Sequence, residues 1–317
     1  MKKIYEFLLW NNCSNNCTFC HQRAHERRID DKILTPQEQI ESLKKCQEFL
    51  NSDQFEKGNH ILLVGGEIFD VQNEDVKLAL KKLFDQIWLM LDKQEIDLLY
   101  INTNLLYQDR SLLDYFLEWF NKNKKFDRLK FTTSYDMVGR FTSFDRERLF
   151  YWNLSYLTNT YEDIKIVVNT VLTKETCKRI CEDNFGADGY REYMWHGISF
   201  NKSTIKNWID YFKVDINVIP YIRLSYDKAP EMPSKKEVFN ALLHINELIP
   251  GYLEQYADNI ALKQEKLLFE YNKKSKQFIY CSSELGDCGH SVNFKLSFSD
   301  SDQCFPCEIK KLVDYKL

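Results

Sequence analysis

Six short apolar runs, two of them closing on small polar residues, alternate with stretches of helical spacing and constrain this chain more than any other feature. The runs cover residues 3–10 (KIYEFLLW), 60–64 (HILLV), 97–104 (DLLYINTN), 128–136 (RLKFTTSYD), 164–173 (IKIVVNTVLT) and 215–224 (DINVIPYIRL). Between them, helices are expected over 35–50, 73–91, 111–121 and 144–158, and from Thr173 or Lys174 onward. Parallel strands need a crossover connection, and a helix supplies it, so strict strand–helix alternation predicts a parallel sheet and an α/β fold. The first helix carries its own start signal. Thr35 is placed as N-cap, Pro36 at the first helical position and Glu38 at the capping-box position.

A sheet of this size needs a large core, and 22 Phe and 18 Tyr supply it. The 43 basic and 47 acidic residues leave a net charge of −4, which argues against coating nucleic acid by bulk electrostatics. The opening Met1-Lys-Lys-Ile-Tyr-Glu breaks charge, apolar and charge again, unlike a signal peptide, and no window reaches the apolar length of a membrane span. The expected location is cytoplasmic, where thiols stay reduced and clustered cysteines favour metal over disulfide.

Cysteines do cluster. Cys13-Ser-Asn-Asn-Cys17-Thr-Phe-Cys20 follows the first strand directly, and its asparagines suit an irregular loop. Thiolates ligate iron–sulfur clusters and zinc. Half of a zinc site completed elsewhere is one reading, although zinc pairs favour the C-x2-C or C-x4-C spacing with a second pair downstream. Three cysteines on one tight loop also suffice for a cluster that keeps one metal position open, as a catalytic cluster needs. A second short motif, Gly65-Gly66-Glu67, ends the second strand.

The C-x3-C-x2-C loop, with aromatic Phe19 just before its third cysteine, closely resembles the signature of the radical S-adenosylmethionine (radical SAM) superfamily. The Gly-Gly-Glu turn, one strand and one helix later, resembles that superfamily's second motif. The resemblance extends over roughly the first 225 residues and implies a partial (β/α)6 barrel. It implies that Cys13, Cys17 and Cys20 hold a [4Fe–4S] cluster and that S-adenosylmethionine chelates its open iron. Phe19, Gly65, Gly66 and Glu67 would then meet the cofactor, Glu67 offering an acceptor to its ammonium group. Ser134, Asp136 and Asn169, at the ends of the fourth and fifth strands, would meet its ribose and carboxylate. The chemistry implied is reductive cleavage to methionine and a 5′-deoxyadenosyl radical, which abstracts hydrogen from a substrate. A one-electron reductant such as flavodoxin or ferredoxin is the implied partner.

The remaining chain divides by composition. Residues 1–228 make the expected core, 229–270 a helical linker region opened by Ala-Pro-Glu-Met-Pro-Ser, and 271–317 a small cysteine-rich subdomain. Cys281, Cys288, Cys304 and Cys307 fall within it, around an alternating run, Val292 to Phe298. Four cysteines make a closed metal site for zinc or for a second [4Fe–4S] cluster. The layout resembles a shortened SPASM or twitch-type auxiliary extension. That resemblance points to a peptide or protein side chain as substrate, in a maturase or dehydrogenase. A nucleoside, nucleotide or nucleic-acid base is the alternative, with the basic run Arg23 to Arg28 against phosphate. A rival of another class is a zinc-binding regulatory or nucleic-acid-binding protein in which both cysteine groups are structural.

Overall fold

A computed structural model of the chain describes residues 2–15, 17, 33–135, 140, 141, 143–181, 210, 212–220, 233, 235–252, 270–272 and 277–279. Strands β1 (Ile4–Leu8), β2 (Asn59–Val64), β3 (Ile96–Thr103), β4 (Leu129–Ser134), β5 (Ile166–Leu172) and β6 (Asp215–Pro220) form one sheet in sequential order. The pairs from β1 through β5 are parallel. Helices α1 (Pro36–Leu50), α2 (Glu74–Asp92), α3 (Ser111–Asn123) and α4 (Phe144–Thr160) fill the crossovers. After β5 come α5 (Lys174–Cys181) and, beyond β6, α6 (Lys235–Leu248). Strands β7 (Glu270–Asn272) and β8 (Gln277–Ile279) pair antiparallel in a separate small sheet.

The helices form where local chemistry specifies them. At α1 the Thr35 side chain accepts from the Glu38 amide while the Glu38 carboxylate accepts from the Thr35 amide, so both bonds of the capping box are made. Gln39, Leu43, Cys46 and Leu50 recur at helical spacing and are the buried face. Asn73 caps α2 through the amides of Asp75 and Val76, and Ser143 caps α4 through the Arg146 amide.

One face of the sheet carries the core. On β2, Ile61 and Leu63 are fully buried while His60, Leu62 and Val64 alternate at intermediate exposure. Phe49 of α1 packs on Tyr5 and Phe7 of β1. An aromatic layer joins α2 to α3: Phe84 lies 4.8 Å from Phe116, and Trp88 stacks on Trp119 at 5.5 Å. Tyr135, just past β4, is fully buried and donates its hydroxyl to Glu147, tying α4 to the sheet.

The chain divides into two compact units, with the boundary after Thr170. The first comprises residues 1–170 and 207–218, with a short piece between. In the second, α5 packs against α6, burying Cys177, Ile180, Val238, Leu242 and Ile245. The expected ligands Cys281, Cys288, Cys304 and Cys307 lie outside the described residues, as do the run 292–298 and, apart from residue 233, the 229–234 boundary. No helix among the described residues is long and apolar enough to cross a membrane.

Helix α3 ends on Lys124 at φ 54°, in the left-handed region where a Cβ is unfavourable. Lys124→Gly is expected to stabilise the protein by about 0.5–1 kcal/mol, the relief of the Cβ offset in part by unfolded-state entropy. Thermal unfolding of the variant beside wild type checks this.

Candidate functional site

Beyond β1 the chain crosses the C-terminal edge of the sheet, and backbone contacts fix its path. Leu9 donates to Val64 O at 2.9 Å, Gly66 to Trp10 O at 2.8 Å and Glu67 to Asn12 O at 2.9 Å. The segment that enters the cysteine loop, residues 9–12, therefore runs alongside the end of β2 as an extension of the sheet ladder. Gly66 makes this approach possible. A Cβ there would sit 2.1 Å from Asn12 O and 2.5 Å from Asn11 O. The Gly65-Gly66-Glu67 turn thus touches, through main chain, the residues that lead directly into Cys13.

Glu67 points inward and is 2% exposed. Its Oε1 accepts from Phe69 N at 3.1 Å and Thr103 Oγ1 at 2.9 Å, and its Oε2 accepts from Asn104 N at 2.6 Å. Trp10 Nε1 donates to its carbonyl at 3.2 Å. Burial pushes the carboxyl up to about 7 against the pull of these donors, and the neighbouring Asp70 adds to the rise. Tyr107 Oη, 3.3 Å from Thr103 Oγ1, is raised well above its ordinary value, chiefly by burial and then by Glu67. Glu67 thereby fastens the end of β2 to the end of β3.

The next residues along β3 reach the cysteines. Asn104 Nδ2 lies 3.5 Å from Cys13 Sγ, and Asn104 Oδ1 accepts from Leu106 N at 2.7 Å. Leu105 is fully buried at φ 56°, a conformation that costs a non-glycine residue of the order of 1–2 kcal/mol. Asn153 of α4 holds the strained turn by donating to Leu105 O at 2.9 Å and Tyr107 O at 2.8 Å.

Inside the loop, Asn15 is 2% exposed. Its backbone N–H donates to Cys13 Sγ at 3.4 Å, and its Nδ2 donates to Cys17 Sγ at 3.0 Å and to Arg140 O at 3.1 Å. Its Oδ1 is buried with no partner among the described residues. Arg146, in the first turn of α4, donates to Ser14 O at 2.9 Å. The loop is therefore gripped from the β2 end, the β3 end and α4 together.

The structure brings Cys13, Cys17 and the 65–67 turn into one site. Ser134 and Asn169 are register partners on β4 and β5, both at intermediate exposure, and Asn169 O accepts from Tyr135 N at 2.8 Å. Phe19, Cys20 and Asp136 lie outside the described residues, and among the described residues no three His, Cys, Asp or Glu side chains gather as a metal site. Sequence reading passed over Asn15, Asn104 and Arg146 as site residues. Asn104 did stand in the polar end of a strand, and Asn15 in an asparagine-rich loop. Those two placements were the only signal. No family model matches the chain, and no curated protein matches it.

Proposed function

We propose that the chain is a radical S-adenosylmethionine enzyme. The observation that carries the reading is the cysteine loop itself. Two of its thiols stand at the C-terminal edge of a parallel sheet, both met by amide N–H donors, and the two residues leading into the loop, Asn11 and Asn12, interlock with the Gly65-Gly66-Glu67 turn. The C-terminal edge is where α/β barrels keep their active sites. Sequential strand order and strand–helix alternation suit the partial (β/α)6 barrel.

The donor set fits an iron–sulfur cluster. Amide N–H groups aimed at cysteine sulfur favour the thiolate form that a metal requires. Zinc in a structural site takes four protein ligands, and no carboxylate or imidazole joins Cys13 and Cys17 among the described residues. Cys13, Cys17 and Cys20 would hold the cluster. The 65–67 turn would receive the ammonium group of S-adenosylmethionine, with Glu67 fixing the turn from inside. Ser134, Asp136 and Asn169 would orient its ribose and carboxylate, beside Phe19. When bound, the cluster and S-adenosylmethionine supply a 5′-deoxyadenosyl radical that takes a hydrogen atom from the substrate. A flavodoxin- or ferredoxin-type protein would provide the electron, and a peptide or protein side chain is the substrate class proposed.

Cys281, Cys288, Cys304 and Cys307 would bind a second [4Fe–4S] cluster, with zinc as the competing metal. Protein reconstituted anaerobically with iron and sulfide is expected to cleave S-adenosylmethionine when reduced, and the Cys13/Cys17/Cys20→Ala variant to lose cleavage altogether. About four irons should remain in that variant if the C-terminal site holds a cluster. Undiminished cleavage in the triple variant would overturn the function, and one zinc with no iron would overturn the auxiliary cluster.

A further inference from the structure

We propose that Asn15 and Asn104 set the reduction potential of the cluster by directing side-chain amide N–H groups at two of its thiolate sulfurs. The inference rests on the reading of Cys13, Cys17 and Cys20 as cluster ligands. It concerns Asn15, at a variable position between the first two cysteines, and Asn104, which lies outside both motifs.

Geometry fixes which way both amides point. Asn104 Oδ1 is committed to Leu106 N at 2.7 Å, so Nδ2 is the atom turned toward Cys13 Sγ. Asn15 Nδ2 lies between two acceptors, Cys17 Sγ and Arg140 O, and the flipped amide would set oxygen against oxygen. The two donors come from positions far apart in sequence, one inside the loop and one 91 residues beyond Cys13. Both side chains are buried, Asn15 to 2% and Asn104 to 7% exposure. Burial strengthens a hydrogen bond to a charged acceptor and keeps water from competing for it.

A hydrogen bond to a cluster thiolate withdraws charge from sulfur. When one electron passes from the reduced carrier to the cluster, the carrier is oxidised by one electron and the cluster gains one negative charge. No bond is made or broken. N–H donors stabilise that added charge and raise the potential, one of the levers a protein has over a cluster. Asn15 and Asn104 act through the sulfurs and are positioning residues.

The test is an EPR-monitored redox titration of the reconstituted full-length chain. The variants are Asn15→Ala and Asn104→Ser, the serine keeping an acceptor for Leu106 N while removing the amide. Each is expected to lower the reduced-to-oxidised ratio at fixed poise about tenfold, about 59 mV for one electron. Unmoved potentials at wild-type iron content would overturn the proposal while leaving the radical enzyme standing. If both variants lose the cluster, the wild type decides. With asparagine labelled by 15N at the side-chain amide, pulsed EPR of the reduced cluster should show the nitrogen coupling, and its absence would overturn the proposal. Wild-type protein holding zinc and no iron would remove the enzyme reading itself.

Discussion

Glu67→Ala is expected to destabilise the protein by about 3–5 kcal/mol at pH 5. Three donors lose this acceptor together, the Phe69 and Asn104 backbone amides and the Thr103 hydroxyl, and the hydroxyl alone keeps another within reach, Tyr107 Oη at 3.3 Å. All three residues are buried, and an unpaired buried donor costs about 1–3 kcal/mol. Against a total of about 5–15 kcal/mol, that is a large share of the stability of the first unit. The loss should shrink as pH rises. The folded carboxyl is raised to about 7, whereas the unfolded one sits near its ordinary value of 4.5. Between those two values the folded state keeps a proton that the unfolded state has lost, so wild-type stability falls with rising pH and levels off above the folded value. At about 1.4 kcal/mol per pH unit, this term amounts to roughly 3 kcal/mol. Urea unfolding of wild type and variant at pH 5 and pH 8 measures both effects. An equal difference at the two pH values would mean that Glu67 is already ionised throughout.

The fold was legible because its signals are local. Thr35, Pro36 and Glu38 announce α1 within four residues, and both capping bonds are made. Alternation of strands and helices fixed the parallel sheet before any contact was known, since a crossover helix leaves few other arrangements. The site was legible only in part. Spacing picked out Cys13, Cys17 and the Gly65-Gly66-Glu67 turn, yet spacing carries order and not direction. Glu67 reads as an acceptor waiting for a ligand, and its carboxylate instead turns inward to Thr103 and Asn104. Asn104 touches Cys13 only because β3 ends beside the loop after β1, across β2. Leu105 gives no warning of its left-handed backbone, because leucine is the wrong residue for it. Such placements are decided by tertiary packing, which overrides local preference at a site built from several strand ends.

Gly66→Ala is expected to abolish the metal binding proposed for the N-terminal cysteines and to cost about 3 kcal/mol or more of stability. The added Cβ would stand 2.1 Å from Asn12 O, 2.4 Å from Asn12 C and 2.5 Å from Asn11 O. Every one of these is a backbone atom, so no rotamer change can relieve the clash. The loop before Cys13 must lift away, and lifting it breaks the bonds from Gly66 N to Trp10 O and from Glu67 N to Asn12 O. Overpacking alone costs about 1–3 kcal/mol, and two lost backbone hydrogen bonds add to it. Two other glycines set the scale. At Gly65 the new Cβ would meet Ile68 Cγ2 at 3.0 Å and Trp10 O at 3.2 Å, a contact that a side chain can partly yield. At Gly58 nothing lies within 4 Å, and only the φ of +78° resists substitution, at about 1 kcal/mol. The expected order of damage is Gly66 far beyond Gly65, then Gly58, with iron content falling only for the two that face the loop. Iron per chain after anaerobic reconstitution and urea midpoints for the three alanine variants measure this order. A Gly66→Ala protein with wild-type iron and midpoint would show that the loop and the turn are not interlocked, and the site would lose the contact that joins its two motifs.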